Sequence, residues 1–270
     1  MRIFIFIFII AAPVLCAGQQ QRWEAYIANF EKGPGSVTTN LGLVDYKETT
    51  RYPFLVVTGV KFSNCTVDGF PAKDEFDKLY LVSDSIEAAI QGFTKHIYAG
   101  TFSYQCERLH YLYVTDTFEL RQNLEEMYKT RFPGYTAKTT IKLDAGWSTF
   151  HDFLYPNEQT LEVIENGRVI AQLHKAGDKL EKPRKIDHWL YFKTEKGRAD
   201  FLAYVQLEKF KVEDSSYVKD RKDSLPYSLH ISRTDYVEVT SLSKTTAALR
   251  QSVRKYNGEY DGWESAVVKE

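Results

Sequence analysis

Past its first 18 residues the sequence has no apolar run that could cross a bilayer as a helix, which takes ~20 residues, so no transmembrane span is expected. It also lacks an excess of charge of either sign. Lys and Arg number 35 against 36 Asp and Glu, for a formal net charge of −1. With no basic surplus or basic block, no nucleic-acid partner is expected. Cysteine is scarce, three in 270 residues, and no Cys-x-x-Cys, His-x-His or His-Glu-x-x-His occurs to clip a metal compactly. No Gly-x-Ser-x-Gly elbow presents a serine, and no glycine-rich loop after a strand cradles a phosphate. The expectation is therefore no metal, no cofactor and no catalytic constellation.

What is present is ordinary for a globular protein: 43% apolar and 26% charged residues, with an aromatic content of 14%. Flat rings in that number suit pleated, half-buried surfaces. Residues 1–18 read as a secretory signal peptide: Arg2, an apolar run from Ile3 to Ile10, then Pro13 and the small residues Ala17 and Gly18. Lipid attachment at Cys16 is the less favoured alternative, because Leu15 is bulky for that processing. An exported chain is expected in the periplasm or outside the cell. Its remaining cysteines, Cys65 and Cys106, then read as one disulfide in an oxidising compartment, or else as two buried thiols. Asn64-Cys65-Thr66 also fits the glycosylation pattern, a short match that recurs by chance.

Alternation from Trp23 to Phe30 and a turn at Lys32-Gly33-Pro34-Gly35 predict an opening hairpin, with Trp23, Ala25 and Ile27 on its apolar side. Pro53 to Val60 is a buried strand by its apolar β-branched run. A helix follows from about Asp74, then strands Ala99–Gln105 and Leu109–Val114 around a Cys106-Glu107 turn. A second helix, capped by Thr115 or Asp116, and a strand from Tyr135 to Leu143 complete β-α-β-β-α-β, the ferredoxin-like order. In that fold Cys65 and Cys106 fall at one edge of the sheet.

Gly146-Trp147 reads as the opening of a second half, 145–270, after a first domain at 19–144. A helical stretch with a break at Asn166-Gly167 leads to a mixed-charge surface connector, Lys179 to Lys185. His188 to Phe192 is a strand, and Thr194 starts a helix. Strands follow at Phe210–Val218 and Tyr227–Ser232, then a helix capped by Ser241 or Ser243 and stopped at Asn257-Gly258, then a strand from Tyr260. The order is β-α-β-β-α-β again. The segment His188–Phe192 echoes His110–Val114, 78 residues earlier, as a shared strand-to-helix unit rather than a duplicated domain. The fold class is thus α+β, with two ferredoxin-like domains in tandem.

The run from Asp187 to Val267, with Glu259-Tyr260-Asp261-Gly262-Trp263-Glu264 after a long helix, resembles the RraB family of ribonuclease E regulators. The first half, through Phe54-Leu55-Val56-Val57-Thr58-Gly59 and Asp68-Gly69-Phe70-Pro71, resembles a bacterial domain of unknown function often joined to RraB-like domains. The resemblance implies the ferredoxin-like fold and an exported protein of the Bacteroidetes type. RraB acts on a cytoplasmic nuclease assembly and is strongly acidic, whereas this chain carries an export signal and is nearly neutral. Ribonuclease E inhibition is implied only if that signal is not functional.

Asp187-His188 is the best candidate for acid-base chemistry, with His151-Asp152 a weaker one, since a carboxylate can orient an imidazole. Neighbours on a strand point to opposite faces, however, which favours a structural role. Trp147 and Trp263, each after a glycine, read as core packing or as binding-face aromatics. The expectation is a non-enzymatic protein-binding or regulatory module with an unidentified protein partner, and with Asp187, His188 and Trp263 as its possible binding face. The alternative is a hydrolase-like enzyme using a cleft between the domains and His188.

Overall fold

The computed structural model describes residues 21–219, 221 and 224–269, so the expected signal peptide and Cys16 lie outside the described residues. The chain divides into two compact units, one ending at Tyr155 and the other beginning at Pro156.

In the first unit a two-stranded hairpin, β1 (Trp23–Phe30) and β2 (Gly33–Asn40), precedes β3 (Phe54–Lys61), α1 (Phe76–Gln91), β4 (His96–Tyr104), β5 (Glu107–Val114), α2 (Leu120–Arg131) and β6 (Thr136–Leu143). The six strands form one sheet in the order β1-β2-β4-β5-β3-β6, and each neighbouring pair is antiparallel. The last four have the ferredoxin-like order, and the hairpin extends the sheet beyond β4. Successive side chains of a strand face opposite sides, so β3 and β5 feed two cores. Val56 and Leu112 pack with Leu79, Val82, Ile86 and Leu124 of the two helices. Leu55 and Tyr113 pack on the other face with Val37, Leu43, Trp147, Phe150 and Leu154. Burial on both faces is why these strands read as continuous apolar runs.

The second core moves the boundary expected at Asp144. Trp147 is fully buried, stacks on Tyr113 at 4.0 Å and donates its indole N–H to the Tyr52 carbonyl at 3.0 Å. Asp144 holds the turn before it by accepting from the Ser148 and Thr149 backbone and from Tyr113. Residues 145–155 therefore seal the first unit instead of opening the second. The hairpin's faces also differ from expectation. Tyr26 and Phe30 turn to the core, while Ile27 is 59% exposed on this edge strand. The β4–β5 connection is a two-residue loop, Gln105-Cys106, with both residues at positive φ, the geometry that matches strand twist in tight hairpins. Cys106 is pinned there by a disulfide to Cys65, Cα to Cα 5.8 Å.

The second unit opens with α3 (Glu158–Lys175), then β7 (Arg184–Phe192), α4 (Glu195–Leu207), β8 (Lys211–Tyr217), β9 (Tyr227–Asp235), α5 (Val239–Arg254) and β10 (Gly258–Ser265). Its sheet has the order β10-β7-β9-β8, again antiparallel and ferredoxin-like. The helix α3 runs through Asn166-Gly167 without the expected break. Asn166 is buried and its amide donates to Ser243 and Thr246 of α5, at 3.0 and 2.9 Å. Helix α5 begins earlier than expected, so Ser241 and Ser243 lie inside it and the cap is Glu238, whose carboxylate accepts from the Thr240 and Ser241 backbone. Those N–H bonds, from Ser241 and then Thr240, hold Glu238 at a pKa of about 2. The expected connector is not all solvated either: Asp178 and Arg184 form a buried ion pair.

Candidate functional site: the open face of the second sheet

Strand β7 organises the second unit. Ile186, His188, Leu190 and Phe192 are buried beneath the helices. Lys185, Asp187, Trp189 and Tyr191 occupy the alternate positions, on a face that no helix of this unit covers. Asp187 and His188 consequently diverge, as strand alternation requires.

His188 is 1% exposed. Its Nδ1 lies 2.9 Å from the Tyr260 hydroxyl, and the edge of its ring meets Phe210. Burial first, and the Arg233 charge second, lower its pKa to about 4, so it is neutral at pH 7. Trp263 sits across from His188 in the β7–β10 register and faces the same interior. It packs near Leu173, Ile186 and Leu242 and donates to the Asn166 side-chain oxygen at 2.7 Å. Of the three residues expected to form a binding face, His188 is buried in the core and Trp263 packs, partly buried, against it, because their strand positions face α3 and α5. Only Asp187 lies on the open face.

There Asp187 accepts from Lys185 at 2.8 Å and stands 2.6 Å from His230 Nε2. Partial burial opposes its ionisation, but Lys185 and His230 outweigh it and lower its pKa. The His230 ring stacks on Trp189, centroids 4.7 Å apart and planes 9° apart. Glu213 accepts from Ser232 at 2.7 Å and Lys211 at 3.0 Å, with Lys185 at 3.4 Å. These partners, Ser232 foremost and Lys211 next, hold its pKa at about 2. Arg221 lies over the Tyr191 ring at 3.2 Å. The result is a charge network running from β8 to β7 and ending on a paired aromatic surface. Trp189 and His230 were missed in the sequence. Alternation could have placed Trp189 opposite His188, but the β9 register that brings up His230 has no local signal.

Among the described residues no group of three or more His, Cys, Asp or Glu is placed to hold a metal. One arrangement in the first unit has the residue types of a nucleophile relay. Ser83 Oγ stands 3.4 Å from His110 Nε2, and His110 Nδ1 stands 2.7 Å from the Tyr98 hydroxyl. Ser83, however, donates to the Leu79 carbonyl at 2.8 Å. With Tyr98 donating to Nδ1, the remaining imidazole proton points to Ser83 and every group is satisfied. Burial, then the Arg108 charge, lower His110 to about 3, which makes it a weak base. This chain of bonds ties α1 to the sheet.

The family of unknown function DUF695 matches residues 21–155, and the family Regulator of ribonuclease activity B, RraB, matches residues 163–265. No curated protein matches the chain. Among solved structures, a protein described as a glycine cleavage system transcriptional repressor is similar at 10% identity and a TM-score of 0.21, over 79% of this chain and 98% of the other. An unknown protein from Galdieria sulphuraria is similar at 10% identity and a TM-score of 0.22, over 80% and 99%. Scores that low carry no argument about this chain. The families do: the chain belongs to the DUF695 family through its first unit and carries an RraB domain in its second.

Proposed function

We propose that this chain is an exported, non-enzymatic protein-binding or regulatory module that engages its protein partner through the open sheet face of its RraB domain. The observation that carries this reading is the Trp189–His230 stack, held by Asp187 on a face no helix of that unit covers. Tryptophan and tyrosine dominate interface energetics because they bury large area at low entropic cost. Here Trp189 is braced before any partner arrives, which lowers the ordering cost of binding. Export is supported by the apolar N-terminal run and by the Cys65–Cys106 disulfide, a bond that persists in oxidising compartments. No helix among the described residues is long and apolar enough to cross a membrane.

Fractionation of a tagged full-length chain tests the compartment. Affinity capture from the envelope fraction, in parallel with Trp189→Ala, then tests the face. The expected result is a reproducible protein partner retained by the native chain and lost with Trp189→Ala. Recovery of the chain in the cytoplasm, or equal capture by both forms, overturns the proposal.

A further inference from the structure

Resting on that protein-binding reading, we propose that Trp189 is the platform for an arginine side chain of the partner, seated over Gly262 and held by the carboxylate of Glu264. In register, Trp189 has His230 of β9 on one side and Gly262 of β10 on the other. His230 covers one face of the indole. Gly262 has no side chain to cover the other, and a Cβ built on it would meet nothing within 4 Å. The second face of the indole therefore borders a lane about one side chain wide.

The charges around this lane select its occupant. On the same face of β10, Glu259 and Glu264 flank Gly262, paired in register with Tyr191 and Asp187. Both are exposed. A guanidinium is flat, stacks on tryptophan and offers a carboxylate two parallel N–H donors. A lysine ammonium offers neither the plane nor the fork. The unit already makes this arrangement once. Arg221 lies over Tyr191 at 3.2 Å, with Asp261 of β10 3.9 Å from it. Trp189 and Glu264 repeat the same aromatic and acid two to three residues further along each strand. A nucleobase could also stack on an indole, but Glu259 and Glu264 repel its phosphates.

The test is an NMR titration of the purified protein labelled on its four tryptophan indoles, with the Trp189 signal assigned by Trp189→Phe. The probes are a capped Gly-Ser-Arg-Ser-Gly peptide, its lysine counterpart and a short oligouridylate. The arginine peptide is expected to shift the Trp189 signal saturably, and the lysine peptide to bind about fivefold more weakly. Glu264→Gln is expected to weaken the arginine peptide about threefold. Gly262→Leu places a side chain in the lane from a Cβ that meets nothing within 4 Å and is expected to abolish the shift while the other indole signals stay in place. No shift with the arginine peptide, an equal shift in Gly262→Leu, or a response to oligouridylate alone overturns the proposal. If the arginine peptide fails while Trp189→Ala still loses the envelope partner, the arginine chemistry is wrong and the protein-binding reading stands.

Discussion

Asn166-Gly167 has the composition of a helix break, yet it lies in the middle of α3, and the two residues are expected to respond in opposite directions to alanine. Asn166 is 3% exposed. It donates to Ser243 and Thr246 and accepts from the Trp263 indole at 2.7 Å, so one amide joins α3, α5 and β10. Alanine removes three hydrogen bonds of about 1 kcal/mol each. The two hydroxyls can rotate to other partners, and Thr246 already reaches the Ser243 carbonyl at 3.3 Å. The Trp263 N–H, fixed on a rigid ring, loses the acceptor it has in Asn166 and adds up to about 1 kcal/mol as an unmet donor. Alanine's better helix propensity returns about 0.6 kcal/mol. Asn166→Ala should therefore cost about 3 kcal/mol. Gly167 points where a Cβ meets nothing within 4 Å, so Gly167→Ala should stabilise by about 1 kcal/mol through propensity alone. Urea unfolding followed by far-UV circular dichroism and tryptophan fluorescence reads both. An Asn166→Ala cost under about 1 kcal/mol, or a destabilised Gly167→Ala, would refute the reasoning.

Three further outcomes are expected. Cys65 and Cys106 close a loop with a sequence separation of 41, so the Cys65→Ser/Cys106→Ser chain should lose about 4 kcal/mol by loop-closure entropy; its urea midpoint should match that of the reduced native chain. His188 titrates at about 4 folded and at about 6.5 unfolded, so the unfolded chain takes up the proton first as pH falls. Its contribution is fully present above about pH 6.5 and declines by about 3 kcal/mol as pH drops towards 4. Unfolding at pH 7, 5.5 and 4.5 should show a shallower decline in His188→Asn than in the native chain. Finally, a fragment ending at Tyr155 should keep native near-ultraviolet dichroism, and one ending at Asp144 should lose it, because Trp147, Phe150 and Leu154 are wholly buried in the first unit.

Strand order was legible in the sequence because apolar period and turn residues act locally. Phe54 to Val60 carries its own strand signal, and Thr194 caps α4 from its own side chain, accepting from the Gly197 N–H at 3.0 Å. The two β-α-β-β-α-β orders followed, and with them the placement of Cys65 beside Cys106. The features that escaped depend on partners distant in sequence. Trp147 after Gly146 looks like a domain entrance until Tyr113 is known to lie beneath it. Asn166-Gly167 looks like a break until Ser243 and Thr246 are seen to satisfy the amide from another helix. The candidate site was half legible for the same reason. Asp187 was singled out for its neighbour His188, which turns away from it, whereas its actual imidazole partner is His230 across the sheet.

The Tyr260-Asp261-Gly262-Trp263 run has a geometric explanation. On an unbroken strand Tyr260 and Trp263 would face opposite sides, because side chains alternate. The register shifts between Tyr260 and Gly262, a bulge that places one extra residue, Asp261, against β7. Beyond it the parity of the strand is reversed. Tyr260 opposite Leu190 and Trp263 opposite His188 both turn inward, while Gly262 opposite Trp189 turns outward. The bulge thus delivers two aromatics to the interior, one to His188 and one to Asn166, and sets the residue without a side chain beside the half-buried Trp189 indole. Core packing and the open lane follow from the same displaced residue, so a change that removed the bulge would disturb the fold of the unit and its open sheet face together.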